Sequence, residues 1–189
     1  MKVVLVSGSP RKDGNTMDVL AACAEEMRSY GVEAEIVSLA GKSIAGCLAC
    51  SQCRAKDFNC IVDDGANEIF ERISEADGFI AAAPVYYGTA RGDMMNFLQR
   101  LGRASGQNSY FLRGMVGGPI AVARRGGHTA TVQEMLMFYL INGMTVPGST
   151  YWNMVFAREK GEADADEEGM QTIRNFATNT AVIIKKLKS

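Results

Sequence analysis

The chain has 189 residues, 47% of them hydrophobic and 22% charged, and a formal net charge of −1. That length supports a single domain, 1–189, with a substantial core, and the near-neutral balance gives no global reason to expect nucleic acid or an acidic membrane as partner. No apolar run approaches the roughly 20 residues needed to span a bilayer, and the first one, Val3-Val4-Leu5-Val6, is too short for a signal-peptide core; the protein is read as cytoplasmic.

That first run has strand length and suits a buried parallel strand. Residues 16–30 carry Val19, Leu20, Cys23 and Met27 at amphipathic spacing and predict a helix ended by Gly31. Residues 32–39 alternate apolar and polar and predict a second strand. Residues 41–62 break all periodicity. Asp63-Asp64 then offers an N-cap for a helix reaching Glu75. Residues 78–83 predict a third strand that stops at Pro84. Residues 91–103 predict a helix. Residues 116–123 predict a fourth strand weakened by Gly117, Gly118 and Pro119. Residues 129–142 predict a helix ending at Gly143, and residues 145–146 with 151–156 a short fifth strand. Residues 164–187 predict a long last helix with acids at its start and lysines at its end, as the helix dipole favours. The alternation of strand and helix predicts a doubly wound α/β domain around a five-stranded parallel sheet with helices on both faces. The charged stretch 157–168 is read as solvated and is given no function.

Ligands of such sheets bind outside the carboxyl ends of the strands, where strand order switches. The segment after the first strand, Gly8-Ser9-Pro10-Arg11-Lys12-Asp13-Gly14-Asn15-Thr16, is placed there by its position in the chain. Ser9, Asn15 and Thr16 offer side-chain hydrogen bonds, Arg11 a cation, and the next helix its free N–H groups, which together suit a phosphate. The stretch is neither a Walker A loop nor Gly-x-Gly-x-x-Gly; its plainer reading is a strand–helix loop capped by Asn15. After the third strand come Pro84, Val85, Tyr86, Tyr87 and Gly88, whose aromatic rings can lie against a flat ligand or simply form a half-buried packing pair. After the fourth come Arg124, Arg125, Gly126, Gly127 and His128. The two glycines permit close approach to a ligand; His128, the only histidine, is read as an ordinary residue at a helix start rather than as a general acid.

Ser9-Pro10-Arg11-x3-Asn15-Thr16, Pro84-Val85-Tyr86-Tyr87-Gly88 and Arg125-Gly126-Gly127 together resemble the flavodoxin-fold NADPH-dependent FMN reductases, over nearly the whole chain. The resemblance implies FMN, with Ser9, Arg11, Asn15 and Thr16 around its phosphate. It places Pro84, Val85, Tyr86, Tyr87, Gly88, Gly126 and Gly127 near its ring system. The flavin then carries the chemistry, and no protein side chain is assigned as catalytic.

Four of the five cysteines fall in the run Cys47-x2-Cys50-x2-Cys53-x6-Cys60. In a reducing compartment such a run points to metal rather than to disulfides. It begins like the bacterial ferredoxin motif and lacks the second knuckle of a structural zinc site. It resembles the iron–sulfur flavoproteins of anaerobic microbes, which implies a [4Fe–4S] cluster on all four thiolates; zinc and unmetallated thiols stay open. Cys23 lies on a helical apolar stripe and is assigned to the core. The leading expectation is an iron–sulfur flavoprotein that relays electrons between a donor, ferredoxin or NAD(P)H, and a small acceptor, as a homodimer or homotetramer that brings a cluster close to a neighbour's FMN. The alternatives are an NAD(P)H-dependent FMN or quinone reductase without a functional cluster, and a non-enzymatic flavin-binding or zinc-stapled module. The sequence names neither donor nor acceptor.

Overall fold

The first apolar run forms β1 (Lys2–Ser7) in the computed structural model, which describes residues 1–55 and 60–189 and only the backbone of residues 54 and 55. Val4 and Val6 enter one apolar cluster, Val3 and Leu5 the other. Alternate side chains of a strand point to opposite faces, so a strand apolar at every position must be covered on both sides, which is the situation of a parallel sheet. The remaining strands are β2 (Glu33–Ser38), β3 (Gly78–Tyr86), β4 (Thr89–Ala90), β5 (Pro119–Ala123) and β6 (Met154–Phe156). Five of them pair in parallel in the order β2-β1-β3-β5-β6, and β4 folds back antiparallel on the end of β3. The expected doubly wound sheet is present, with β4 as an addition.

Two helices, α1 (Asn15–Ser29) and α5 (Glu167–Lys188), cover one face, where Val19, Leu20, Met27, Ile173 and Phe176 are buried. On the other face α2 (Asn67–Ser74), α3 (Gly92–Gln107) and α4 (His128–Ile141) bury Phe70, Phe97, Leu101 and Tyr139. Cys23 lies in the buried stripe of α1 as expected, and burial pushes its thiol up to about 12. No helix among the described residues is long and apolar enough to cross a membrane.

Several boundaries differ from the sequence reading: α3 runs to Gln107 rather than 103, β6 begins at Met154 rather than 151, and four others have a visible cause. β3 does not stop at Pro84 but runs on to Tyr86. β1 ends opposite Ala82, so Pro84 lies beyond the β1 ladder and its missing N–H interrupts none of it; its carbonyl accepts the Arg91 N–H of the returning chain at 3.2 Å. The N-cap of α2 is Ala66, not Asp63 or Asp64; Asp64 accepts N–H groups from Ala45 and Ala66 and pairs with Arg100 instead. α5 starts at Glu167, after a 3₁₀ turn over Glu162–Ala165, because Asp166 accepts the Gly169 N–H at 3.0 Å. Finally, β5 begins at Pro119, because residues 116–118 press against β3 through single bridges rather than a regular ladder.

That pressing fixes one residue. A Cβ on Gly117 would lie 1.8 Å from the Phe79 carbonyl oxygen, a backbone atom of the central strand. Gly117→Ala is therefore expected to destabilise the fold by about 3 kcal/mol, the upper end of overpacking costs. A urea midpoint equal to the parent's would show that the strands separate more easily than this contact implies.

Candidate functional site

β1 leaves the sheet after Ser7 with the Gly8 N–H bonded to the Ala82 carbonyl at 2.8 Å, whereas β3 continues past it. The stagger opens a cleft of about 170 Å³ at the carboxyl edge of the sheet. One wall is the β1–α1 loop, with Ser9, Pro10, Arg11 and Gly14, followed by Asn15 and Thr16 at the start of α1. Pro84, Val85 and Tyr86 form the second wall. Val122, Ala123 and Arg124 end β5, and Ala157 and Arg158 follow β6. Of the expected residues, Ser9, Arg11, Asn15, Thr16, Pro84, Val85 and Tyr86 therefore meet at one cleft; Tyr87, Gly88, Gly126 and Gly127 do not line it.

Within the β1–α1 loop, Ser9 Oγ accepts the Arg11 N–H at 3.1 Å. Gly14, not Asn15, is the N-cap of α1, and no side chain caps it. The amide of Asn15 is committed elsewhere. Its Nδ2 donates to the Glu159 carbonyl at 2.8 Å, and its Oδ1 accepts the N–H groups of Gly161 and Ala163 at 3.0 and 3.3 Å. Asn15 thus ties the segment 159–163 to the phosphate-type loop, and a Lys160–Asp13 pair adds a second tie. This is how the stretch left without function comes to supply Ala157 and Arg158 to the cleft. Neither Arg11 nor Arg124 has an ion-pair partner among the described residues.

Tyr86 pairs with Thr89 across a two-residue turn in which Tyr87 and Gly88 both have positive φ, 52° and 87°. Two such residues in succession mark a type I′ hairpin, whose twist matches that of the strands it joins. The turn throws the Tyr87 ring fully into solvent. Glu134 on α4 holds the hairpin, accepting from the Thr89 hydroxyl and from the Ala90 N–H. Gly127 supports it from below, with φ of 88° and space so limited that a Cβ would sit 2.7 Å from Val85 Cγ1 and 2.9 Å from Gly88 Cα. The expected ligand approach at Gly127 is thus taken by protein, and a side chain there meets the hairpin before it meets any ligand.

The cysteine loop leaves the end of β2 and runs along α3; residues 56–59 of it lie outside the described residues. Cys47 and Cys50 are exposed, Cys60 half-buried and Cys53 buried, and none forms a disulfide. Ala49 and Ser51, on either side of Cys50, have φ of 53° and 58°, a tight path. The Ala49 N–H donates to Cys47 Sγ at 3.4 Å. Burial first, then the neighbouring Cys60, with Cys47 and Cys50 behind it, pushes the Cys53 thiol above its ordinary range. A thiol raised in this way resists ionising unless a cation sits beside it. In donor chemistry and in the N–H···S bond the loop fits a thiolate-bound centre. Among the described residues, however, no three potential ligands are gathered into a ligating group. No cysteine lines the cleft.

Arg100 on α3 is 1% exposed and sits at the mouth of this loop, donating to the Val62 carbonyl at 3.0 Å. Burial opposes ionisation of its partner Asp64, but Arg100 and the Ala45 N–H outweigh it and hold the carboxyl below the usual range. Sequence reasoning missed Arg100, since an arginine within a helical pattern carries no sign of its partners. Arg124 stood in a stretch already singled out for its glycines; Arg158 carried no signal.

A family model described as NADPH-dependent FMN reductase matches residues 1–159. The chain belongs to that family. It is 32% identical over 195 residues to an iron–sulfur flavoprotein of Methanocaldococcus jannaschii, an alignment covering all of both chains. Among solved structures, RosB with a bound 8-demethyl-8-formylriboflavin-5'-phosphate intermediate aligns with a TM-score of 0.77 at 16% identity, over all of this chain and 80% of that one. A flavodoxin from the Archaea aligns with a TM-score of 0.64 at 15% identity, over 98% and 99% of the two chains. The fold is flavodoxin-like, and the protein is a flavin-dependent oxidoreductase of the iron–sulfur flavoprotein branch.

His128 is buried, with Nε2 3.1 Å from the Val155 carbonyl and its ring 4.3 Å from that of Phe156. A carbonyl only accepts, so Nε2 carries the proton. Burial lowers the pKa of His128 despite these carbonyl contacts. The unfolded chain, with a histidine value of about 6.5, then binds more protons than the native state just below that pH. Stability is expected to fall as pH drops below that unfolded value, and His128→Gln is expected to flatten this part of the curve. Parallel stability curves for the two proteins between about pH 7.5 and 5, spanning the ordinary histidine range, would show that protonation of His128 is not opposed by the fold.

Proposed function

We propose that this protein binds FMN in the cleft, carries a [4Fe–4S] cluster on Cys47, Cys50, Cys53 and Cys60, and relays electrons between ferredoxin or NAD(P)H and a small acceptor. The observation that carries the flavin part is the pair of cations, Arg11 and Arg124, without ion-pair partners among the described residues, at a cleft floored by an uncapped helix start. A phosphate there is attracted by the guanidinium groups and by the first N–H groups of α1. Ser9 and Thr16 add hydroxyl contacts, and Asn15 acts by holding the segment that presents Arg158. Pro84, Val85 and Tyr86 are the wall for the ring system. Tyr87, Gly88, Gly126 and Gly127 shape the hairpin behind it.

Bound FMN accepts one or two electrons, and a cluster passes one at a time, so together they link two-electron and one-electron partners. The chain's own part is to hold the two groups on separate frames: strand ends for one, a loop along α3 for the other. That separation favours transfer between copies of the chain, as a homodimer or homotetramer. An apolar groove of about 560 Å³ between α3 and α4, beside the exposed Met137 and Ile141, fits a second copy of this chain. Free thiols in this number suit a reducing cytoplasm. A second reading is an NAD(P)H-dependent FMN or quinone reductase without a working cluster, in line with the family model matched over residues 1–159.

One measurement tests the FMN site common to both readings, and a second divides them. Arg11→Ala is expected to weaken FMN binding by about 1.5–3 kcal/mol, the range of charge-assisted hydrogen bonds. Titration of FMN fluorescence reads this, and an unchanged affinity removes Arg11 from the phosphate site. For the cluster, anaerobic reconstitution should give about four iron and four sulfide per chain. Cys53→Ser should lose or degrade the cluster and keep FMN, while Cys23→Ser should keep both. A full, unaltered iron spectrum in Cys53→Ser, or stoichiometric zinc in native protein, would replace the cluster with the second reading or a zinc staple.

A further inference from the structure

The cysteine loop is fastened to α3 along its length. Asn96, Arg100, Arg103 and Asn108 follow one another at spacings of four, three and five residues and lie on one side of the helix and its cap. They hold the loop in chain order. Asn96 Nδ2 donates to the Ile44 carbonyl at 2.8 Å, Arg100 to the Ala45 carbonyl at 3.4 Å, Arg103 to Ser51 Oγ at 3.0 Å and Asn108 to the Cys53 carbonyl at 3.2 Å. From α2, Asn67 closes on the backbone of Cys60, accepting its N–H and donating to its carbonyl, both at 2.9 Å.

Arg100 differs from the others because it joins the two stems. Its fork reaches Ala45, two residues before Cys47, and Val62, two residues after Cys60. Asp64 completes the ring by pairing with Arg100 and accepting the Ala45 N–H at 2.9 Å. This clamp is costly. A buried ion pair gains little over apolar packing of the same volume, and Arg100 Nε is buried with no hydrogen-bond partner among the described residues, which carries a desolvation penalty. Stability alone is a poor reason to keep such a group at the mouth of a surface loop. Fixing the separation of the two stems is a better one, because a planar fork holds two carbonyls in a set geometry where a flexible ammonium holds one.

We infer that Arg100 is the positioning residue of the cysteine site: its buried fork sets the distance between the Cys47 and Cys60 ends of the loop, and thereby how firmly the four thiolates retain their metal centre. This rests on the reading of the loop as a thiolate-bound iron site. Arg100 itself supplies no ligand. Like the outer-shell groups around other metal sites, it acts through the orientation of the residues that do.

The test uses full-length, FMN-loaded protein purified anaerobically. Iron and sulfide content, release of iron to a chelator, the cluster midpoint potential and FMN affinity are compared in the parent, in Arg100→Lys, and in the double variant Arg100→Leu/Asp64→Leu. The lysine keeps a charge opposite Asp64 but loses the fork; the double variant leaves no charge stranded. Expected is iron release about tenfold faster in both, in line with the loss of other outer-shell partners, with a shifted potential and FMN affinity within about twofold of the parent, since Arg100 touches no part of the cleft. A purely structural role moves the unfolding midpoint but not the release rate or potential of the folded protein. Iron-loaded parent and variants with equal release rates and potentials overturn the inference alone. A parent that takes up no iron and sulfide overturns the cluster reading and the inference with it. If Arg100→Lys fails to fold, the double variant decides by the same two readouts.

Discussion

The Gly8 N–H, 2.8 Å from the Ala82 carbonyl, marks the point where β1 departs and β3 goes on alone. Much of the cleft depends on that stagger. Had both strands ended together, the β1–α1 loop would lie flat on the edge of the sheet and no recess would form between it and the hairpin. The stagger also explains Pro84, which lies past the end of the β1 ladder, so that its absent N–H breaks no bond to β1. The hairpin of Tyr87 and Gly88 in turn lets β3 end by folding back on itself, with Glu134 and Gly127 of the neighbouring loop and helix holding it upright. A recess shaped by main chain in this way is insensitive to most surface substitutions, which is how one fold serves many ligands by changing loop chemistry.

The charge pattern works locally, against a net charge of −1. Several cations are neutralised near their own backbone: Lys2 and Arg72 share Glu35, Lys188 meets Asp77, Arg91 meets Asp93 and Arg100 meets Asp64. Arg11 and Arg124 stand apart from these pairs and lie in the cleft. Low-dielectric walls strengthen the field of such unpaired charges. The whole-chain balance therefore says little about what this protein binds, and the placement of two side chains says much.

The fold was legible in the sequence because its signals are local. Strands buried on both faces read as apolar runs, and α1 displays its stripe of Val19, Leu20, Cys23 and Met27. The place of the β1–α1 loop at the carboxyl edge of the sheet was legible from its position after the first strand. What escaped were bonds between a side chain and backbone far along the chain. Asn15 looked like a cap or a ligand group, yet its partners lie 144 to 148 residues away. Asp64 looked like a helix cap, yet Arg100 and Ala45 claim it. Gly127 looked like room for a ligand, yet Val85 and Gly88 fill that room. In each case the residue type was informative and its partner was not, since no local periodicity encodes a contact between distant loops.

The two sites are built by different means and share one element. The cleft is made of strand ends, whereas the cysteine loop is hung on side chains from α2 and α3. The first turn of α3 also touches the cleft loop: a Cβ on Gly8 would lie 2.9 Å from Met94 Cβ, and the Arg91 guanidinium points to the Gly8 carbonyl at 3.4 Å. The polar stripe that holds the cysteines begins one turn later, at Asn96. At a rise of about 1.5 Å per residue, the helix sets the spacing between the two attachments. The contacts at Gly8 are apolar packing and one long hydrogen bond, while those at the loop are a buried ion pair and backbone carbonyls. One helix thus meets the cleft loop by packing and the cysteine loop by polar side chains, so each loop can be altered through its own contacts.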